Sequence, residues 1–302
     1  FSIMLLTFIT GIAAGSWVVT RWRRLHRSLD AFGWAELALA LTLILTVGFY
    51  VKIPHWFAQV ASLLARQPQA YPLYEVAQGL ICFLVMFAPT LCLGMTLPLA
   101  TRAASHDIRH TGRSVGTVFA VNTVGTVLGA ALTGLLLLPA LGLARTFFLG
   151  IALNAALGGF TLCRRWLFPR PALTALLPLA LVAVLIPLGG LVESRWQRMS
   201  SLALWRLQQP PDSAAYADAL RRVNLLYCRD GAGSTVTVDA LYEGGETNLT
   251  LRVNGKPDAS TGLDMPTQML CGHIPALLHP APHDALVVGL GSGVTAGALA
   301  QH

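Results

Sequence analysis

Apolar residues form long unbroken runs over the first two thirds of the chain and short alternating patterns over the last third. Runs near 1–20, 31–52, 73–100, 115–138, 144–163 and 172–192 each approach the roughly 20 positions a helix needs to cross a bilayer core. This pattern predicts a multi-pass α-helical membrane bundle of about six spans over residues 1–192. Residues 193–226 read as interfacial and linker helices. Trp196 and Trp205 sit among Arg195, Arg198 and Arg206, as suits a helix lying in the headgroup region. After Pro210-Pro211, Asp212 caps an amphipathic helix expected to run to about Leu226. Ser234–Tyr242 then alternates, with Val236, Val238 and Ala240 on one face, and Asn248–Val253 alternates again across the Glu243–Glu246 turn. This is a β-hairpin. Asn254-Gly255 is a further tight turn. Asp264 and Pro266 open a helix that reaches about His279, with a kink at Pro275. Ala285–Val288 is expected to be a short buried strand. The fold class is therefore a membrane bundle followed by a small α+β region, with 227–284 as a β-hairpin domain and helix. Residues 285–302 are the truncated start of a Rossmann domain.

Composition sharpens this picture. Of 302 residues, 54% are hydrophobic and 12% charged, and mean hydropathy is +0.60; soluble domains carry about 25% charged residues. A disordered chain, a disulfide-rich miniprotein and a plain soluble enzyme are excluded. Residues 1–192 hold 13 Lys/Arg and 4 Asp/Glu, whereas 193–302 hold 8 and 10. The positive charge lies in short gaps between apolar runs, so its partner is the lipid bilayer and not nucleic acid. Loops one, three and five carry ten basic residues (Arg21, Arg23, Arg24, Arg27, Arg102, Arg109, Arg113, Arg164, Arg165 and Arg170). Loops two and four carry three, Lys52, Arg66 and Arg145. The bias puts the odd loops in the cytoplasm; six spans then send residues from Glu193 onward outside. The chain opens on Phe1 within an apolar run and stops at His302 inside a predicted helix, so both ends read as cut.

Within the runs, Gly11 and Gly15, and Gly112, Gly116, Gly125 and Gly129, recur at four-residue spacing. This allows helix backbones to touch; a glycine-lined substrate path is the alternative. Asn122 must face protein or water, because an unpaired amide in lipid is costly. Glu36 and Glu75 fall near span ends, within snorkelling reach of the interface, and are candidates for a polar pocket. Cys82, Cys92, Cys163, Cys228 and Cys271 form no C-x-x-C or Cys/His cluster, so they read as packing residues and no metal site is expected.

The densest chemistry lies at Gly289-Leu290-Gly291-Ser292-Gly293. An apolar strand entering alternating glycines and then an Ala-rich helix is the pattern of a cofactor loop, where bare backbone approaches a ligand. The dinucleotide fingerprint needs glycine where Val294 stands; a Gly291/Gly293/Gly297 spacing leaves that option open. The Walker lysine is absent. G-x-G-x-G is the form used by S-adenosylmethionine-type domains.

The run from Leu251-Arg252-Val253-Asn254-Gly255-Lys256 through Asp264, His273-Ile274-Pro275 and His279-Pro280 to Leu286–Gly293 resembles the spermidine synthase (polyamine aminopropyltransferase) family. The resemblance runs without a gap over the 52 residues from Leu251 to His302. Phe8–Ser16, Pro89–Pro98 and Gly116–Gly134 are similar to the transporter-like membrane part of membrane-fused spermidine synthase-like proteins. This implies a multi-pass protein of the cell (inner) membrane. Decarboxylated S-adenosylmethionine or S-adenosylmethionine would be the co-substrate at Gly289, Gly291, Ser292 and Gly293. A small amine or polyamine acceptor would be held near Asp258, Asp264 and Gln268. The family's catalytic Asp follows the glycine motif and would fall beyond His302.

The departures are specific. Asn254 stands for the family's turn Asp, Asp258 for its Gln, Leu263-Asp264 for its Asp-Glu pair, and Thr267-Gln268-Met269 for its polyamine-binding triplet. Ser292 stands for the Asp that faces the amine end of the decarboxylated ligand. Three readings follow: a membrane-bound aminopropyltransferase, another S-adenosylmethionine-dependent membrane enzyme, or a transporter of polyamine-like cations with a binding domain. The resemblance also asks for a cytoplasmic soluble part, against the charge rule; the uncharged run 172–192 favours the outside.

Overall fold

The computed structural model describes residues 2–21, 28–64, 68–105, 111–167, 171–199, 201–202, 204, 210–243 and 245–302. Side chains at 68, 165–167, 171–179, 181, 182 and 243 are outside the description. Two compact units result, Phe1–Ser194 with Gln208–Pro210, and Arg195–Leu207 with Pro211–His302.

The first unit is helical: α1 (Ser2–Arg21), α2 (Ser28–Tyr50), α3 (Ile53–Leu64), α4 (Tyr71–Ala104), α5 (Thr111–Leu132), α6 (Leu138–Leu141), α7 (Leu143–Leu167) and α8 (Pro171–Met199). Among the described residues, five helical stretches are long and apolar enough to cross a membrane, namely α1, α2, α4, the run Thr111–Leu141 and Leu143–Arg164. The sixth expected run lies in α8, where ten of its 21 side chains fall outside the described residues. The stretch after Lys52, expected as loop, is the 12-residue α3, too short to span.

Helices α1 and α4 run parallel and nearly touch. A Cβ at Gly11 would overlap the Thr90 side chain, one at Gly15 the Leu91 carbonyl, and one at Gly94 the Ile12 backbone. Pro98 inside α4 has no N–H to give to the carbonyl four residues back. That carbonyl belongs to Gly94, and Ser16 Oγ of α1 donates to it at 3.0 Å. Antiparallel to these, α2 packs on α7 through Gly33 and Gly158; Asp30 and Arg164 pair at 2.8 Å beside that crossing. Arg145 reaches Glu193 at 3.2 Å. Val19, Ala35 and Leu99 make one buried cluster, Ala40, Phe148 and Ile151 another.

The glycines of α5 behave differently. Nothing lies within 4 Å of a Cβ built at Gly112, Gly116, Gly125 or Gly129, so the close packing expected there does not occur among the described residues. Between α5 and α6 the chain takes a π-helical turn, Thr133–Leu137, ahead of Pro139.

In the second unit, Asp212 caps α9 (Ser213–Arg222) by accepting from Ala215 N at 2.7 Å. This helix stops four residues short of the expected Leu226, because Asn224–Asp230 is drawn into a strand, β1. Strands β1, β2 (Thr235–Glu243), β3 (Glu246–Val253) and β4 (Lys256–Ser260) form an antiparallel meander in chain order. The β2–β3 hairpin pairs Val236 with Val253, Val238 with Leu251 and Ala240 with Leu249. Asn254 (φ 51°) and Gly255 (φ 79°) are both left-handed, the requirement of a two-residue type I′ turn. Asn254 Oδ1 also accepts from Thr235 N at 2.9 Å. The polar face of β2 is the more buried one: Thr237 is 0% exposed and Asp239 7%. Arg252 makes that tolerable by gripping Asp239 at 2.6 and 3.2 Å, a paired and therefore affordable burial.

After β4 come α10 (Met265–Leu278) and α11 (Val294–Leu299). Between them, Ala285–Val288 is neither buried nor part of the sheet, correcting the expected buried strand. Leu286 is 89% and Val288 92% exposed. The described sheet ends at β4 and offers no parallel neighbour to this segment.

Candidate functional site

The glycine loop is built by backbone conformation. Gly289, Gly291 and Gly293 have φ of 90°, 56° and 80°, where an L side chain costs about 1–2 kcal/mol. Nothing lies within 4 Å of a Cβ at any of the three, so the loop presents bare, accessible backbone. A turn bond from Gly293 N to Leu290 O, 2.9 Å, closes it.

Close packing seats the loop. At Gly272 of α10, a Cβ would press on Thr295 O and Ala298 of α11. That contact brings Ser292 to Gln268, with Ser292 Oγ donating to Gln268 Oε1 at 2.5 Å. Gln268 Nε2 donates to Ser260 O at 2.9 Å, and Thr295 Oγ1 to Gln268 O at 2.9 Å. Ser260 Oγ donates to Asp264 Oδ2 at 3.2 Å. The structure thus joins Ser292 to Gln268, 24 residues earlier in the chain, and through Ser260 to Asp264, in one chain of hydrogen bonds from the loop to the end of β4. Asp258 stands apart from that chain, 3.5 Å from Lys256 Nζ, though strand alternation places it on the same face of β4 as Ser260.

No sequence pattern singles out Ser260 or Thr295. Their spacing to Asp264 and to the glycines is the signal that was there; an isolated hydroxyl in a strand end or helix start carries no chemistry by pattern alone. A separate cavity of about 650 Å³ is lined by His279, His283, Asp284, Val287, Leu299 and His302, among others. None of the loop glycines lines it. His273 Nδ1 and His302 Nε2 lie 2.9 Å apart.

Comparison with known protein families, with curated proteins and with solved structures finds no match.

The residues flagged in the apolar runs are scattered. Glu36, expected to snorkel, is 5% exposed inside α2, with Oε2 lacking a hydrogen-bond partner among the described residues. Glu75 is exposed near the start of α4, after the Tyr71–Tyr74 ring pair. Asn122 lines a groove between α1, α4 and α5. Among the described residues no group of three His, Cys, Asp or Glu side chains is placed to hold a metal ion.

Proposed function

We propose that this chain is part of a membrane-bound spermidine synthase-like protein whose glycine loop receives decarboxylated S-adenosylmethionine or S-adenosylmethionine. One observation carries the reading: three left-handed glycines within five residues, open to solvent and tied through Ser292 to Gln268. Bare backbone in that conformation accepts a ligand at distances no side chain permits. In the reaction implied, an amine nitrogen attacks the carbon next to the sulfonium. The C–S bond breaks, the thioether leaves with the bonding electrons, and a base takes the amine proton. Positioning supplies much of the acceleration. Residues 1–302 would contribute the loop and, through Asp264 and Asp258, negative charge for a cationic acceptor; the base would come from outside them. We place residues 1–192 in the cell membrane.

A second reading has its own support. Ser292 replaces an anion, and its hydroxyl is already committed to Gln268. That neutral position suits the carboxylate of ordinary S-adenosylmethionine, and hence a different acceptor.

Calorimetry on the full-length protein tests both. Heat of binding with either sulfonium ligand supports the site and their ratio chooses between the readings; no heat with either refutes them. A cysteine in the 243–246 turn, in a background without other cysteines, reports the side. Labelling of intact cells by an impermeant maleimide means outside, as the charge bias predicts.

A further inference from the structure

Asn254-Gly255 is the only Asn-Gly dipeptide in the chain, and the fold sets it at the tip of the β3–β4 hairpin with Asn254 exposed. Glycine puts no side chain beside the peptide nitrogen that follows Asn254, so that nitrogen can approach the Asn254 side-chain carbonyl without a clash. Gly255 N makes no hydrogen bond among the described residues, so turning it toward that carbonyl breaks none. The other asparagines differ on both counts. Asn122, Asn154, Asn224 and Asn248 are followed by Thr, Ala, Leu and Leu, and they lie inside α5, α7, β1 and β3.

The electrostatics of the turn point the same way. Asn254 Oδ1 accepts from Thr235 N at 2.9 Å, while Asn254 Nδ2 has no partner among the described residues. Attack on Cγ pushes negative charge onto Oδ1, the atom that the Thr235 N–H already faces. A backbone donor roughly 2.7–3.1 Å from a developing oxyanion stabilises it. The oxygen is thus held, and the leaving nitrogen is free.

We infer that Asn254 is a site of spontaneous deamidation, with Gly255 N as the nucleophile and the Thr235 N–H as donor to the oxyanion. Hydroxide takes the proton of Gly255 N, and the bond from that nitrogen to Asn254 Cγ forms. The bond from Cγ to Nδ2 breaks, and Nδ2 leaves as ammonia with a proton from water, which regenerates the hydroxide. Water then opens the cyclic imide at one of its two carbonyls, so the net change is amide plus water to acid plus ammonia. Opening at Cγ gives aspartate, whose carboxylate can still accept from Thr235 N. Opening at the backbone carbonyl gives isoaspartate, which adds a carbon to the main chain. The pairing of Val253 with Lys256 closes over two residues of ordinary length, so isoaspartate should undo it. Strand β4 leads on to Ser260, whose carbonyl holds Gln268 at 2.9 Å. The inference does not rest on the transferase reading, so either can fail alone.

Peptide mass mapping of the full-length protein, held in mildly alkaline buffer, provides the test. Asn254 should gain the mass of an amide-to-acid change before any other asparagine, at a rate proportional to hydroxide. Electron-transfer fragmentation should find isoaspartate as well as aspartate. Thr235→Pro removes the facing N–H at the first residue of β2, a position where strands accept proline. It should slow conversion about tenfold, less than a buried oxyanion donor supplies, with the circular dichroism spectrum retained. An Asn254 that keeps its amide in the intact protein, while a peptide of residues 246–260 converts in the same buffer, overturns the site; this arm decides even where Thr235→Pro does not fold. Conversion that is equally fast or faster in folded Thr235→Pro overturns it as well, because the oxyanion donor is part of the assignment.

Discussion

Glycine serves opposite ends in the two units. At the α1–α4 crossing, Gly11, Gly15 and Gly94 have helical backbones any residue adopts, and what they lack is room: a Cβ would sit inside the neighbouring helix. In the 289–293 loop there is room on every side, and what forces glycine is φ. A glycine in a sequence therefore does not announce which constraint it answers. The first kind resists any side chain by size; the second resists even alanine, but mildly.

Substitution separates the two kinds. Gly94→Leu should be the most damaging, because the clash is with Ile12 backbone and neither helix can yield locally; about 3 kcal/mol or more is expected, read as a lost melting transition in detergent. Gly129→Leu, on the open side of α5, should change that melt by about 0.5 kcal/mol or less; a loss matching Gly94→Leu would mean that α5 packs as tightly as α1. Gly291→Val should cost about 1–2 kcal/mol, confined to the second unit, and abolish sulfonium-ligand heat. Unchanged heat in a folded Gly291→Val protein would sink the loop as the site. Ser292→Ala removes one hydrogen bond and should cost about 1 kcal/mol. Its more useful readout is a looser loop, seen as faster amide exchange at 289–293.

A pH experiment probes the second unit alone. Burial pushes the Tyr216 hydroxyl up from 10.0 to about 12. Below pH 10 both folded and unfolded chains keep that proton, so its contribution is fully present. Between pH 10 and 12 the unfolded chain releases the proton while the folded one holds it, and stability falls. Tyr216→Phe should remove this part of the alkaline loss; an identical alkaline slope in the variant would disprove the burial effect.

Several elements were legible because local pattern and tertiary need agreed. The uncharged runs became helices, the Asp212 cap formed, and Val236, Val238 and Ala240 paired with the facing strand in the expected hairpin. Asn254-Gly255 turned as its residue types require. Where tertiary context decided, the pattern misled. Asn224–Leu226 was expected to continue the helix, yet pairing with β2 captured it. Alternation sets Thr237 and Asp239 on the face opposite Val236 and Val238 but not which face is covered; the polar one is the more buried, and Arg252 makes it buriable. Gly125 and Gly129 share the spacing of Gly11 and Gly15 without a neighbour within 4 Å among the described residues. In the candidate site, the glycine loop was readable from its spacing. Its tie to Gln268 through Ser292 was not, since that depends on Gly272 letting α10 and α11 meet.

The bond from Ser16 to the Gly94 carbonyl links residues 78 apart in the chain. Ser16, Gly11 and Gly15 of α1 all meet α4, which is synthesised after α1. Between them in the chain, α2 runs antiparallel to both. The Ser16–Gly94 contact therefore joins two helices that are not neighbours in the chain, α2 and α3 lying between them in sequence. Until Pro98 is in place, Ser16 has no vacant carbonyl there to claim, so the proline that weakens α4 on its own also marks the moment when the first helix becomes fixed.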